Sequence, residues 1–568
     1  MLWADGKRWR PALLAVVAIT AIVLGMIGYV RAYPHDPLSD SVYRTLQLFT
    51  LEGAVPDQSN LFLEFARYLA PLVIGYAALA AVLALYRDQL NRLWIRRLRS
   101  HVVVAGLGSA GFRIARSFAD AGWQVVVVES DVNNVAIRGC RERGIRVLVG
   151  DATDHHILRE AGVGRAVLLV VVCGGDGRNM DIATAARGIS AEHNDHILTA
   201  IVEFEDFELW YVMKAQAFVD RRESTFRIEL VNIYALAADL LLDEHPPFVA
   251  EEAEEHHVLV VGQGDVAQSL IMGVLGRWLN VDRSPGERLR VTIAGPESAL
   301  AYDALVERHP GIVGLSGVRV EPWEIDMASA GSMASAPADV NRIYAAMTSD
   351  TKSLAVALNL REQTGLWKEV PIVVTVEDRD AGIGRTVNRV EPALDGVEAF
   401  GWLSDSLQPG SLLGHTATET IARLCHQLHC DEQRRLGLTA RDDPSLVPWE
   451  QLHRTLRESN RMWADDISDK LIRLSCVVAP APLANPDGPA FCFTEEEVEA
   501  LARLEHDRWS VDMKRMGFTQ GPRGERHHPL IDVGFDELPE INRDEDRRHV
   551  RAIPQVLAKA GFIIRRVQ

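Results

Sequence analysis

Two stretches of this chain run without charge for the length of a membrane helix. Residues 11–30 and 68–86 are each about twenty residues of almost wholly apolar sequence, long enough to cross a hydrocarbon core of about 30 Å. The first lacks a small-x-small cleavage site and is soon followed by the second, so a membrane hairpin is expected rather than a signal peptide. Between them lies the polar stretch YRTLQLFTLEGAVP. Val42, Leu46 and Phe49 recur there at helical spacing, which predicts a short half-inserted helix with Gly53 as its stop. Lys7, Arg8 and Arg10 precede the first span, and Arg87, Arg92, Arg96, Arg97 and Arg99 follow the second. Residues 31–60 hold only Arg31 and Arg44. The positive-inside rule then puts both termini on the cytoplasmic side of an inner (plasma) membrane.

Beyond residue 99 the pattern changes to short buried-type strands. Residues 102–105 (VVVA) lead into Gly106, Gly108 and Gly111, a GxGxxG turn. A second strand over 125–128 ends in Glu129, and a third over 147–149 is followed by GDATD. Glycines of this spacing let a pyrophosphate approach the N-terminus of the next helix, where free N–H groups and the dipole favour anions. An acid about twenty positions on is placed for ribose hydroxyls. The expected nucleotide contacts are Gly106, Gly108, Ser109, Ala110, Gly111, Glu129, Asp151, Ala152 and Thr153.

The ordered set GxGxxG, acid, GDATD and LxxAGV over about residues 100–243 resembles the TrkA-N or RCK family of potassium-transport regulators. That resemblance implies a gating or regulatory domain that binds NAD(H) or an adenine nucleotide (ATP or ADP) and pairs through helices beyond the fifth strand. VNIYALAADLLLDE, residues 231–244, is either such a pairing helix or a buried core helix.

A second copy follows. VLVVGQGDVAQ repeats the turn with Gly262, Gly264 and Ala267. The offset between copies is 156 from Gly106 to Gly262 and 174 from Glu203 to Glu377, so the second copy carries an insertion. It has Gly295 and Pro296 where the first has its acid, with Glu297 slightly late, and is expected to be structural or to hold a different ligand. The tandem resembles the paired RCK domains of ring-gated channels.

The C-terminal region is duplicated as well. IARLCHQLHC from Ile421 matches LARLEHDRWS from Leu501, 80 residues on, and Val447 matches Val533, 86 residues on. Both copies resemble the RyR domain, the repeat of ryanodine receptors, which implies a helical pair acting as a ligand sensor. Arg423, His426, Arg503, His506 and Trp509 are the positions for a ligand pocket or for internal helix contacts. Cys425, His426, His429 and Cys430 have zinc-compatible helical spacing, but the second repeat keeps only the histidine, so no metal is expected.

Composition narrows the class. The net charge of -18 over 568 residues argues against a nucleic-acid binder, and six scattered cysteines suit a reducing cytosol. The expected architecture is an α-helical transmembrane hairpin with a possible pore loop (1–99), α/β Rossmann-like tandem RCK domains (100–250 and a degenerate 251–410), and a mainly α pair of RyR-like repeats (411–480 and 481–568). With no nucleophile and base pair in view, an enzyme is not expected. Thr50, Glu52 and Gly53 are the pore positions: the family filter would supply TVGYG, and here residues 50–54 read TLEGA. Four assembled chains would ring the path with Glu52, an attraction for cations. The expected function is a nucleotide-regulated, cation-channel-like membrane protein of potassium-transport type, in lipid, as a homotetramer or homodimer. The alternative is a non-conducting membrane-anchored nucleotide sensor in stress or antiviral signalling.

Overall fold

The computed structural model describes residues 6–567 apart from 53–59, 193–196, 220–224, 249–254, 281–285, 326–335, 365–366, 390–395 and 482–490 and single positions 338, 368, 436, 442, 444, 523 and 525. Helices α1 (Gly6–Ala32) and α3 (Leu61–Leu85) pack along one another. Small residues set their approach: a Cβ on Gly28 would lie 2.9 Å from the Leu63 nitrogen. Asn60 caps α3 by accepting from Leu63 N–H (3.1 Å) and ties it to α1 by donating to the Gly28 carbonyl (2.9 Å). Residues 13–32 and 61–82 are long and apolar enough to cross a membrane and are mostly uncovered by the rest of the chain.

The short intervening helix is present as α2 (Leu38–Gln47), continued by a 3-10 turn over Leu48–Thr50. Ser41, Thr45 and Leu48 face the hairpin, while Val42 and Leu46 point outward at 41% and 53% exposure. Thr45 can turn inward because its hydroxyl is satisfied by the Ser41 carbonyl (2.7 Å). The helix stop is Leu51, left-handed at φ 65, with the Glu52 N–H returning to the Gln47 carbonyl (3.1 Å). Gly53 lies outside the described residues.

After Tyr86 the chain re-enters helix as α4 (Arg87–Ile95), which leads into the first α/β unit. Strands β1 (Val102–Ala105), β2 (Val125–Glu129), β3 (Arg146–Val149), β4 (Leu168–Val171), β5 (Leu198–Glu203) and β6 (Phe226–Val231) form an all-parallel sheet in the order β3-β2-β1-β4-β5-β6. Helices α5 (Ser109–Asp120), α6 (Ala136–Glu142), α7 (His155–Glu160), α8 (Asp176–Ala191) and α9 (Phe207–Val219) connect them, and α10 (Ile233–Glu244) leaves the last strand. With both faces covered, the inner strands β1, β2 and β4 read as nearly continuous Val and Leu. The order reverses between β1 and β4, opening a crevice at their carboxyl ends.

The second unit contains β7 (Glu255–Val261), α11 (Asp265–Asn280), β8 (Arg288–Gly295), α12 (Ser298–Arg308), β9 (Val318–Glu324), β10 (Arg342–Ala345), α13 (Asp350–Thr364), β11 (Ile372–Val376), α14 (Gly382–Arg389) and β12 (Val397–Gly401). Its sheet order, β12-β11-β10-β7-β8-β9, is the first unit's topology read from the other edge. One polar device recurs too. Asn179 accepts from the Cys173 N–H at 2.9 Å, and at the equivalent position Ser353 accepts from the Met347 N–H at 3.0 Å. Helix α10 packs on α11, its Ala238, Leu241 and Leu242 sharing a core with Leu270 and Val274, so within the chain it joins the two units.

The remainder comprises α15 (Pro409–Gly414), α16 (Ala417–Arg435), α17 (Arg454–Arg473), β13 (Cys476–Pro480), α18 (Glu495–Arg515), the two-residue β14 (Thr519–Gln520) and β15 (His527–His528), α19 (Glu540–Lys559) and β16 (Phe562–Arg566). Two helix-helix-strand repeats meet through the antiparallel pair β13 and β16. The region docks on the β6 edge of the first sheet, where Arg227 pairs with Asp465, and Glu229 accepts from the Ala417 N–H (2.9 Å) and the Thr418 hydroxyl.

Candidate nucleotide site

The crevice at the carboxyl ends of β1 and β4 is a cavity of about 370 Å³ floored by the GxGxxG turn. The three glycines have separate reasons. Gly106 is left-handed at φ +97, and a Cβ there would lie 2.4 Å from the Val172 carbonyl oxygen. A Cβ on Gly111 would lie 2.1 Å from the Gly106 oxygen, so glycine lets α5 seat on the turn. Gly108 has nothing within 4 Å of its would-be Cβ and opens on the cavity. As the N-cap of α5 it provides no side-chain cap for the first-turn N–H groups, which are therefore placed to receive an anion.

Glu129 ends β2 at the cavity wall, 8% exposed. Its carboxylate accepts from the Leu107 N–H (2.9 Å) and the Asp131 N–H (2.7 Å), with Asn134 at 3.3 Å. The acid thus fixes the glycine turn as well as facing the cavity. Ser109, Ala110 and Ala152 line the cavity; Asp151 and Thr153 are not among its lining residues. Asp151 instead takes the N–H and hydroxyl of Thr153, both at 2.9 Å, and pairs with Arg178 at 3.0 Å. Those bonds hold its carboxyl below the usual range. Arg178 does reach the wall and brings the cation that sequence reading missed.

Further lining residues escaped the sequence, four of them with side chains that shape the site. Burial, with Glu205 and Asp176 nearby, pushes the carboxyl of Glu203 up to about 7. Burial pushes the Cys173 thiol up to about 11. Tyr234 on α10 and Trp402, just after β12, complete the wall. A glycine turn of fixed spacing signals the floor of such a site, but nothing local in a sequence signals a wall contributed by a distant unit.

The equivalent turn of the second unit is built differently. Gly262 keeps the left-handed conformation at φ +133. The Gln263 side chain, however, donates to the Pro296 carbonyl across the place where the first unit has its acid, and Glu297 is left-handed at φ 62.

The other expected positions are occupied by structural contacts. His426 Nε2 donates to the Val447 carbonyl (2.8 Å) and His506 Nε2 to the Val533 carbonyl (2.7 Å), the same bond in each repeat. Arg423 faces Glu450 at 3.6 Å, and Arg503 pairs with Asp536 and lies over the Phe535 ring. Trp509 stacks on His506 with centroids 5.6 Å apart and meets His528 edge-on. These placements correspond to internal helix contacts. Among the described residues no cluster of three His, Cys, Asp or Glu side chains is arranged for a metal. Thr50 donates its hydroxyl to the Gln47 carbonyl (3.1 Å), and Glu52 is exposed.

Residues 102–219 match the TrkA-N domain model. The Trk system potassium uptake protein TrkA homolog of Archaeoglobus fulgidus is 32% identical over 92 residues, 16% of this chain and 20% of that protein. Potassium channel protein 1 of Methanocaldococcus jannaschii is 28% identical over 96 residues, 17% of this chain and 29% of that protein. An uncharacterized protein of Methanothermus fervidus is 24% identical over 189 residues, 31% and 29% of the two chains. The chain therefore spans less than a third of the length of each of these relatives. Among solved structures, the GsuK channel aligns over 71% of this chain and 97% of its own at 15% identity and a TM-score of 0.37. The stretch similar to the TrkA-N domain, residues 102–219, is the one that contains the glycine turn, Glu129 and Arg178.

Proposed function

We propose that this protein is a membrane-embedded, nucleotide-regulated cation channel of potassium-transport type, without enzymatic turnover. Its apolar helix pair lies in the bilayer with both termini cytoplasmic, and the α/β units form a cytosolic regulatory ring in a homotetramer. NAD(H) or an adenine nucleotide binds with its diphosphate at the α5 N-terminus and its ribose toward Glu129. The observation that carries this reading is the joint between helix pair and TrkA-N unit. α4 is docked rather than slack: Ile95 is fully buried in the unit's core, Asn91 donates to the Val147 carbonyl (2.9 Å) and Arg92 pairs with Glu160 (3.0 Å). A nucleotide with different affinity for two arrangements of the ring would therefore move α3. The C-terminal repeats are proposed as RyR-type sensors of a second ligand.

A second reading, a non-conducting membrane-anchored nucleotide sensor, is favoured by TLEGA, which lacks the glycine pattern of the family filter. Protein reconstituted in potassium-loaded vesicles separates the two. The channel reading expects potassium efflux that changes when ADP or NAD is present on the regulatory side. Absence of efflux from protein that binds nucleotide in the same vesicles leaves the sensor.

A further inference from the structure

The wall of the nucleotide cavity crosses from one α/β unit to the other. Trp402 follows β12 of the second unit, with its N–H bonded to the Val376 carbonyl of β11 (2.9 Å). Its indole stacks on Tyr234 of α10, centroids 5.5 Å apart and planes 30° from parallel, and both rings line the cavity over the glycine turn. The chain after Trp402 is held at the end of β11, with the Ser404 N–H bonded to the Glu377 carbonyl (3.0 Å), and then crosses to the first unit. Leu403, Leu407 and Leu412 are buried in the first unit's core with Ile114 and Phe118 of α5, and Ser117 donates to the Leu407 carbonyl (2.7 Å). Arg113, also on α5, pairs with Glu377 (2.9 Å) and Asp378 (2.8 Å) from the end of β11. The helix whose N-terminus faces the cavity is thus gripped by the second unit, in whose own turn Gln263 donates to the Pro296 carbonyl.

We propose that Tyr234 and Trp402 form an aromatic wall, built from both units, against which the planar ring of the bound nucleotide stacks, and that the second unit serves as the cover of the first unit's site. This rests on the nucleotide reading given above. A preformed aromatic face favours a flat heteroaromatic ring over a saturated one, because base-aromatic stacking is sequence-tolerant and each ring presents a π-face. Ligands that consist of the diphosphate alone gain nothing from it.

The test is calorimetric titration of the full-length detergent-solubilised protein with ADP and, separately, with inorganic pyrophosphate. Wild type is expected to bind both, ADP more tightly. Trp402→Leu and Tyr234→Leu are each expected to weaken ADP by about tenfold and to leave pyrophosphate unchanged, while Trp402→Phe stays near wild type for both ligands. Unchanged ADP affinity in both leucine variants overturns the proposal. So does an equal loss for pyrophosphate, the mark of a merely structural role. If wild type binds neither ligand, the nucleotide reading itself fails and the aromatic wall falls with it.

Discussion

The glycine turn separates fold from function at single positions. Gly106→Ala puts a methyl into the Val172 carbonyl from a left-handed backbone, so it is expected to destabilise the first unit by about 1–3 kcal/mol and to abolish nucleotide binding. Gly108→Ala meets open space at φ -68. It is expected to leave the melting temperature near wild type and to weaken ADP in calorimetry, because only the ligand approaches there. Equal stability of the two variants would contradict this division. Glu203 sets a pH dependence. Its folded pKa of about 7 lies above the ordinary value of 4.5, so it is largely protonated below 7 in the fold and gains a charge beside Glu205 and Asp176 above it. The stability present at low pH is therefore lost as pH rises from 4.5 through 7. An anionic ligand binds better to the neutral form, so NAD affinity is expected to be higher at pH 6 than at pH 8, and Glu203→Gln should flatten the profile. A flat wild-type profile would count against Glu203 facing the ligand. Gly106, Gly108 and Glu129 were legible because turn, helix start and acid sit at fixed chain spacing. Trp402 was not, since only the packing of two sheets brings it to Tyr234.

Among elements, α4 and the repeat histidines bear the mechanical claims. Ile95→Ala removes buried aliphatic volume where α4 enters the first unit's core. It is expected to accelerate amide hydrogen exchange across α4 while β4 stays protected; unchanged exchange would mean that the joint does not depend on this contact. His426→Ala and His506→Ala each remove a buried ring and the donor to a half-buried carbonyl, so each is expected to lower repeat stability by about 1–3 kcal/mol. His506 also faces Asp546 at 3.5 Å, so its loss is expected to be the larger in denaturant melts; no loss from either variant would contradict a role in the fold. The equivalence of these bonds was anticipated by the 80- and 86-residue offsets. Arg461 with Glu419 and Arg547 with Glu499 repeat the same geometry, at 2.6 and 2.7 Å. Helix α2 was legible in existence, from the helical spacing of Val42, Leu46 and Phe49. Which residues meet the hairpin was not, because steric access decides it: a Cβ on Gly25 would lie 2.7 Å from the Thr45 methyl. The chain turns at left-handed Leu51, and the expected stop, Gly53, lies outside the described residues.

At the scale of the whole molecule, three features bear on one another: a bare apolar helix pair, a docked α4, and a cavity lined by two units. Apolar side chains such as Leu13, Ile19, Phe65 and Leu72 are more than half exposed on α1 and α3, a surface suited to lipid or to neighbouring copies. With Glu52 exposed at the end of the α2 turn, assembly around a central axis would place a ring of carboxylates beside the ion path. The central claim is that nucleotide in the cytosolic cavity governs conduction past this ring. Single-channel recording in planar bilayers, with ADP or NAD on the cytoplasmic side and wild type compared with Glu52→Gln, tests it most directly. The account predicts unitary potassium currents whose open probability depends on nucleotide and whose conductance falls in Glu52→Gln. Silent bilayers from protein that binds nucleotide, or currents indifferent to both nucleotide and Glu52, would contradict it.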